Sequence, residues 1–144
     1  MSTAVSLSSA EQALVDAAWA VRERAVCSYS GFAVGVALLD DAGRQFTGAN
    51  VENASYNLGL CAERVALYHA LTHGLGRVEQ IAVVTEAAVL AYPCGACRQA
   101  LWEFAPHAQV LVANRQTCAR IAVADLVPHA FDGRTLDASA PEPR

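Results

Sequence analysis

Phe32-Ala33-Val34-Gly35-Val36-Ala37-Leu38-Leu39, then Asp40-Asp41-Ala42-Gly43, then Arg44-Gln45-Phe46-Thr47-Gly48-Ala49-Asn50, is the stretch that sets the fold. A Val-rich apolar run of this length suits a strand. Asp-Asp-Ala-Gly has turn chemistry, and the residues after it read as a returning strand. Upstream, Ser8-Ser9-Ala10-Glu11 fits a capping box, in which a serine hydroxyl and a glutamate three residues on satisfy each other's orphan amides. Leu14, Ala18, Val21 and Ala25 follow at helical spacing until Tyr29-Ser30-Gly31 interrupts them. Downstream, residues 50–60 are polar and read as a loop. A second helix is expected from about Cys61 to His73, stopped by Gly74 and Gly76. Ile81 to Thr85 reads as a short buried strand. Pro93 introduces a third helix that ends before Pro106. Gln109 to Ala113 and Cys118 to Val123 read as strands around an Asn114-containing turn, and 124–130 holds one helical turn. The order α-β-β-α-β-α-β-β implies an α/β layered domain, with a five-stranded mixed sheet and helices on both faces.

A chain of 144 residues is one domain's worth. It reads as a single domain over 1–144, with loose tails at 1–7 and about 133–144. Hydrophobic residues make up 54% and charged residues 17%, which excludes disorder. A mean hydropathy of +0.26 is high for a small monomer and points to surface buried against other subunits. The net charge is −4, and all ten basic residues are arginine. This acidic balance argues against a nucleic-acid partner, because phosphate neutralisation needs a basic face. No apolar run reaches the roughly 18–20 residues of a membrane span. Residues 1–10 lack a basic start and an apolar core, so a cytoplasmic location is expected. Five cysteines, an odd number, speak for thiols or metal ligands and not for a disulfide framework.

Three of the cysteines fall into two short pieces, Cys61-Ala62-Glu63-Arg64 and Pro93-Cys94-Gly95-Ala96-Cys97-Arg98-Gln99, each at an expected helix start. Cysteines at i and i+3 share a helical face, so Cys94 and Cys97 can reach one ion, and Cys61 from a second helix start completes a triangle. Catalytic zinc keeps three protein ligands and an open position. Helix N-termini favour the thiolate form. Three thiolates overcompensate a divalent ion, so a cationic neighbour must draw charge from the sulfurs. Arg64 and Arg98 are placed for this, Arg64 foremost. Glu63, two residues after Cys61, is placed beside the open position as a proton shuttle. A ligand-x-Glu piece followed by Pro-Cys-x-x-Cys is the pattern of zinc nucleobase deaminases. The alternative is a redox pair or a structural zinc site, whose fourth ligand would come from Cys27, Cys118 or one of His69, His73, His107 and His129. None of these forms a ligand-spaced pair, and Cys27 and Cys118 read as small packing residues.

With those pieces in place, the chain from about Val21 to Phe131 resembles the small homotetrameric zinc-dependent cytidine deaminases. Four blocks carry the resemblance: the two cysteine pieces, Tyr29-Ser30-Gly31-Phe32-Ala33-Val34-Gly35, and Asn50-Val51-Glu52-Asn53-Ala54-Ser55-Tyr56. It implies a three-layer α-β-α fold and zinc, one per subunit, on Cys61, Cys94 and Cys97, with Glu63 as the proton shuttle. It further implies that Asn50 and Glu52 hold the ribose 3′-hydroxyl, the Ala62 amide meets the pyrimidine carbonyl, and Phe32 packs on the base. Ala54, Tyr56 and Phe131 would complete a neighbouring subunit's site. The implied reaction is hydrolytic deamination of cytidine and 2′-deoxycytidine in pyrimidine salvage. Deamination of a related aminated nucleoside such as blasticidin S is the alternative, and a catalytically silent zinc module is a second one. Ser28 and Tyr92 depart from the family pattern, which has proline at the first position and a small Ser or Thr at the second.

Overall fold

The structure, a computed structural model, describes residues 5–142. Ser8 caps the first helix, α1 (Ser9–Arg22): its hydroxyl accepts from the Glu11 amide at 3.2 Å, and its own amide donates to Glu11 Oε2 at 2.9 Å. Glu11 Oε1 also accepts from Arg120 Nη2 at 2.7 Å, which ties the start of α1 to a distant strand. The hairpin forms as β1 (Val34–Asp40) and β2 (Gln45–Ala49). Its turn closes on the buried Asp40 carboxylate, which accepts from the amides of Ala42, Arg44 and Gly76.

β1 begins two residues later than the apolar run suggests. The Asn50 side chain takes the place of ladder bonds there, accepting from the Val34 amide and donating to the Phe32 carbonyl. A single 3-10 turn (Tyr56–Leu58) interrupts the loop that follows β2. Next come α2 (Ala62–Thr72), β3 (Val78–Thr85), α3 (Gly95–Phe104), β4 (Gln109–Ala113), β5 (Cys118–Ala122) and α4 (Val123–Leu126). β3 starts three residues before Ile81: Val78 is buried and pairs with Asp40, while the intervening Glu79 and Gln80 hide the apolar pattern.

The stretches expected to be loose are anchored where they are described. The Val5 amide donates to Cys118 O, and Leu7 packs on the core. Asp132 caps a further turn, α5 (Gly133–Leu136), by accepting from the Arg134 amide, and it takes a bond from Trp102 Nε1. Residues 1–4 and 143–144 lie outside the described residues.

The sheet has the order β2-β1-β3-β4-β5; β3 and β4 run parallel and every other pair antiparallel. Register sorts its side chains. Val36 lies opposite Val83, and Leu38 opposite Ile81. Ile81 and Val83 face Val110 and Val112, forming one core with α2 and α3. The intervening Ala37, Ala82, Val84 and Leu111 form a second core with Leu14, Val15 and Ala18 of α1. This alternation is the period of a pleated strand buried on both sides, and it gives the expected three layers. Two glycines set the distances between layers. A Cβ on Gly35 would run into the Ala18 carbonyl, and one on Gly48 into the Ala66 backbone. The site lies on the α2/α3 side, where β1 begins and β3 ends.

Candidate active site

Two helix starts supply the sulfurs. Cys61 is the N-cap of α2 and Cys94 the N-cap of α3, with Cys97 one turn further on. The three sulfurs lie within 4.8 Å of one another, and Cys61 Sγ and Cys94 Sγ are 3.8 Å apart. A tetrahedral zinc with sulfurs at about 2.3 Å separates them by about 3.8 Å, so the donor set fits that ion. Among the described residues no other group of three such ligands converges. Burial, the Glu63 charge and the other two sulfurs together push the Cys97 thiol far up. A cation held among the sulfurs would favour the Cys97 thiolate. Cys118 is buried in the α1-side core and Cys27 half-buried, both away from this cluster.

Arg64 Nη2 approaches Cys61 Sγ at 3.7 Å, and contacts with Cys61 first and Cys97 next favour its charged form. Its Nε is buried without a partner among the described residues. Arg98 turns elsewhere. Its Nε donates to Pro93 O at 2.7 Å and its Nη1 to Leu126 O at 3.0 Å, so it braces the approach to Cys94 instead of a sulfur. The Glu63 carboxyl sits in the first turn of α2, 6% exposed; burial raises its pKa, against opposing contributions from its own amide, Cys97 and Arg64.

A cavity of about 310 Å³ opens over this cluster and brings together Phe32, Asn50, Glu52, Cys61, Glu63 and Cys94. Asn50 is 9% exposed and braces the β1 entry, its Oδ1 accepting from Val34 N at 2.8 Å and its Nδ2 donating to Phe32 O at 2.9 Å, which leaves one N–H and one lone pair for a ligand. Glu52 Oε1 accepts from the amides of Tyr29 and Ser30, each at 3.1 Å. The Ser30 hydroxyl, then those amides, hold the Glu52 carboxyl below its ordinary range. A carboxylate so held accepts from a hydroxyl and repels a phosphate. Ala62 is the first residue of α2, where an amide has no partner within its helix.

Ala62 does not line the cavity, and neither do Ala54, Tyr56 and Phe131, which were expected to serve a neighbouring subunit. Ala54 is exposed, Tyr56 is 80% exposed and Phe131 57% exposed. Tyr56 instead stacks edge-on against Tyr29 beside a neighbouring hollow. The cavity also takes in Ser30 and Thr85, which sequence reasoning did not place in the site, and Tyr92, whose position the family resemblance put at the pocket edge. Thr85 ends β3, and ligands in open α/β sheets gather at the carboxyl ends of strands, so its signal was available.

The family described as "Cytidine and deoxycytidylate deaminase zinc-binding region" matches residues 8–113. A cytidine deaminase of Halalkalibacterium halodurans is 43% identical over 128 residues, 88% of this chain and 97% of that protein. A probable cytidine deaminase of Dictyostelium discoideum is 39% identical over 127 residues, 88% of this chain and 86% of that protein. Among solved structures, a cytidine deaminase from Burkholderia pseudomallei superposes with a TM-score of 0.81 at 46% identity, covering 83% of this chain and 98% of that one. A cytidine deaminase from Mycobacterium tuberculosis gives 0.74 at 37% identity, covering 84% and 96%.

Proposed function

Because the chain belongs to the cytidine and deoxycytidylate deaminase family, we propose that its cavity hydrolyses the exocyclic amine of cytidine and 2′-deoxycytidine, giving uridine or 2′-deoxyuridine and ammonia. The observation that carries this reading is the buried Glu63 carboxyl beside three converging sulfurs, in one cavity with Asn50 and Glu52.

Cys61, Cys94 and Cys97 would hold one zinc per chain. Bound there, zinc supplies a Lewis acid that brings the pKa of water toward about 7 and makes it a nucleophile. Glu63 takes the proton of the attacking water and delivers it to ring N3, which makes C4 electrophilic. As the C4–O bond forms and the C4–N bond breaks, Glu63 passes the hydroxyl proton to the departing amine. One carboxyl handling successive transfers needs shelter from bulk water, and Glu63 has it. Arg64 draws charge from Cys61. Phe32 packs on the base, the Ala62 amide meets the pyrimidine carbonyl, and Asn50 and Glu52 position the sugar. Glu52 as a fixed anion selects free nucleosides over phosphate-bearing chains, in keeping with a net charge of −4.

The chain acts as a homotetramer whose subunits share sites. Supporting this, Tyr56, Leu58, Val89, Phe131 and Leu136 are each more than half exposed in the single chain, a large apolar surface for so small a protein. Ala54, Tyr56 and Phe131 then serve a neighbour's cavity. A cytoplasmic role in pyrimidine salvage follows from the substrate. No helix among the described residues is long and apolar enough to cross a membrane.

The test is the fall in ultraviolet absorbance on mixing purified protein with cytidine, with zinc content and solution mass measured on the same sample. Turnover with about one zinc per chain is expected, faster on cytidine than on blasticidin S. Zinc-loaded protein that leaves cytidine unchanged would overturn the reading.

A further inference from the structure

Phe131 is held by the helix that carries two of the sulfurs. Residues 127–132 form neither helix nor strand. Among the described residues, no main-chain hydrogen bond links 128–131 to another element. Side chains of α3 take over that task. Arg98 Nη1 donates to Leu126 O at 3.0 Å, Gln99 Nε2 to Phe131 O at 2.7 Å and Trp102 Nε1 to Asp132 Oδ2 at 3.2 Å. Gln99 and Trp102, three apart, share one helical face. Asp132 is buried, and its carboxylate also accepts from Arg134 Nη2 at 2.8 Å. Between the ties, His129 adopts φ 56°, the one non-glycine residue among those described with a positive φ. Such a conformation persists where surrounding contacts over-determine it, here the Leu126 and Phe131 ties on either side. Phe131 itself remains more than half exposed, with its carbonyl fixed.

We propose that Gln99 and Trp102 are positioning residues: they fix the backbone at Phe131 so that its exposed ring stands ready to enter a neighbouring copy's cavity. This rests on the shared-site reading given above. An aromatic on an untethered segment would have to be ordered as the copies dock, at a cost to association. Tied to α3, the segment carries that order beforehand. One helix thereby joins two sites. Cys94 caps α3 and Cys97 lies in its first turn, while Gln99 and Trp102 follow on the same helix and hold the segment meant for the neighbour. None of Gln99, Trp102, Phe131 and Asp132 lines the chain's own cavity, so loss of the ties shows in the neighbour's cavity and not in its own.

The test compares the wild-type chain, Phe131→Ala and the double variant Gln99→Leu with Trp102→Phe, which removes both donors and keeps most of both side-chain volumes. kcat and KM for cytidine, zinc content and solution mass are measured on each. The double variant is expected to raise KM about tenfold with zinc content unchanged, since one of the two lost bonds goes to a charged group. Phe131→Ala should raise KM at least as much. Gln99→Leu alone, which spares the packing of Trp102, should shift KM about threefold the same way and decides the matter if the double variant does not fold. Each variant is then co-expressed with Glu63→Gln chains under separate tags, and mixed oligomers are isolated. The Glu63→Gln chain brings an intact tether and its own Phe131, so part of the turnover should return at the wild-type KM. Wild-type KM in the tether variants beside an impaired Phe131→Ala would overturn the proposal. So would a raised KM that mixing relieves for Phe131→Ala but not for the tether variants, because that defect lies in the chain's own cavity. A Phe131→Ala chain that is unimpaired, or that mixing fails to relieve, would instead overturn the shared-site reading itself.

Discussion

Asn50→Ala removes a side chain that the backbone of the β1 entry depends on. Asn50 is 9% exposed and bridges two main-chain groups, accepting from Val34 N at 2.8 Å and donating to Phe32 O at 2.9 Å. Val34 is half-buried, so its stranded amide costs on the order of 1–3 kcal/mol. Phe32 is 45% exposed; water can reach its carbonyl, and that loss is nearer about 1 kcal/mol. Together the variant should lose roughly 2–4 kcal/mol, or about 5–15 °C in Tm for a chain of this size. Asn50→Asp keeps an acceptor for Val34 N but sets an oxygen against the Phe32 carbonyl, so it too should lose stability and cytidine affinity. Urea unfolding at one fixed protein concentration, paired with KM for cytidine, measures both. An Asn50→Ala chain within about 0.5 kcal/mol of wild type would refute the view that this side chain builds the β1 entry.

Glu63→Gln should retain zinc by metal analysis while kcat falls at least about 100-fold, the lower reach of general acid–base catalysis; a fully active variant would end the proton-shuttle assignment. Arg64→Gln should release zinc to a chelator several-fold faster than wild type, since the Cys61 sulfur loses its guanidinium partner at 3.7 Å, and unchanged release would remove Arg64 from that role. The Glu11 carboxyl is held below its ordinary value of 4.5, by the Ser8 amide first and by Arg120 among the further contacts. A folded pKa below the unfolded one stabilises the fold above pH 4.5, and the contribution disappears as pH falls through the folded value. Unfolding midpoints measured from pH 6 to pH 3 should therefore fall more steeply for wild type than for Glu11→Gln; parallel curves would count against the Glu11 contribution.

Most elements were legible because local signals agreed with the tertiary result. Ser8 and Glu11 close the capping box their spacing announces, and Asp40 seats the turn that Asp-Asp-Ala-Gly implies. The convergence of the three sulfurs was legible because both cysteine pieces coincide with helix starts. What escaped depended on partners distant in sequence. Glu79 and Gln80 disguise the first residues of β3, which exist as a strand because β1 lies beside them. Arg98 follows a ligand directly yet spends its guanidinium on carbonyls at Pro93 and Leu126, the latter 28 residues away. The turn at 133–136 needed Asp132 and Trp102 to meet, and no local pattern carries that meeting. Ser30 was visible within a motif, but its use by both Phe32 and Glu52 emerges only when residues 22 positions apart come together.

The alternation along β3 has a practical consequence for anyone altering this protein. Val83 and Thr85 line the cavity, whereas Ala82 and Val84 point into the layer beneath α1. The rear of the molecule thus offers a workbench separate from the chemistry. Leu14, Val15 and Ala18 can be rebuilt to raise or lower heat tolerance while turnover stays constant, provided Gly35 keeps its room and Arg22 keeps its grip on the Ala33 carbonyl.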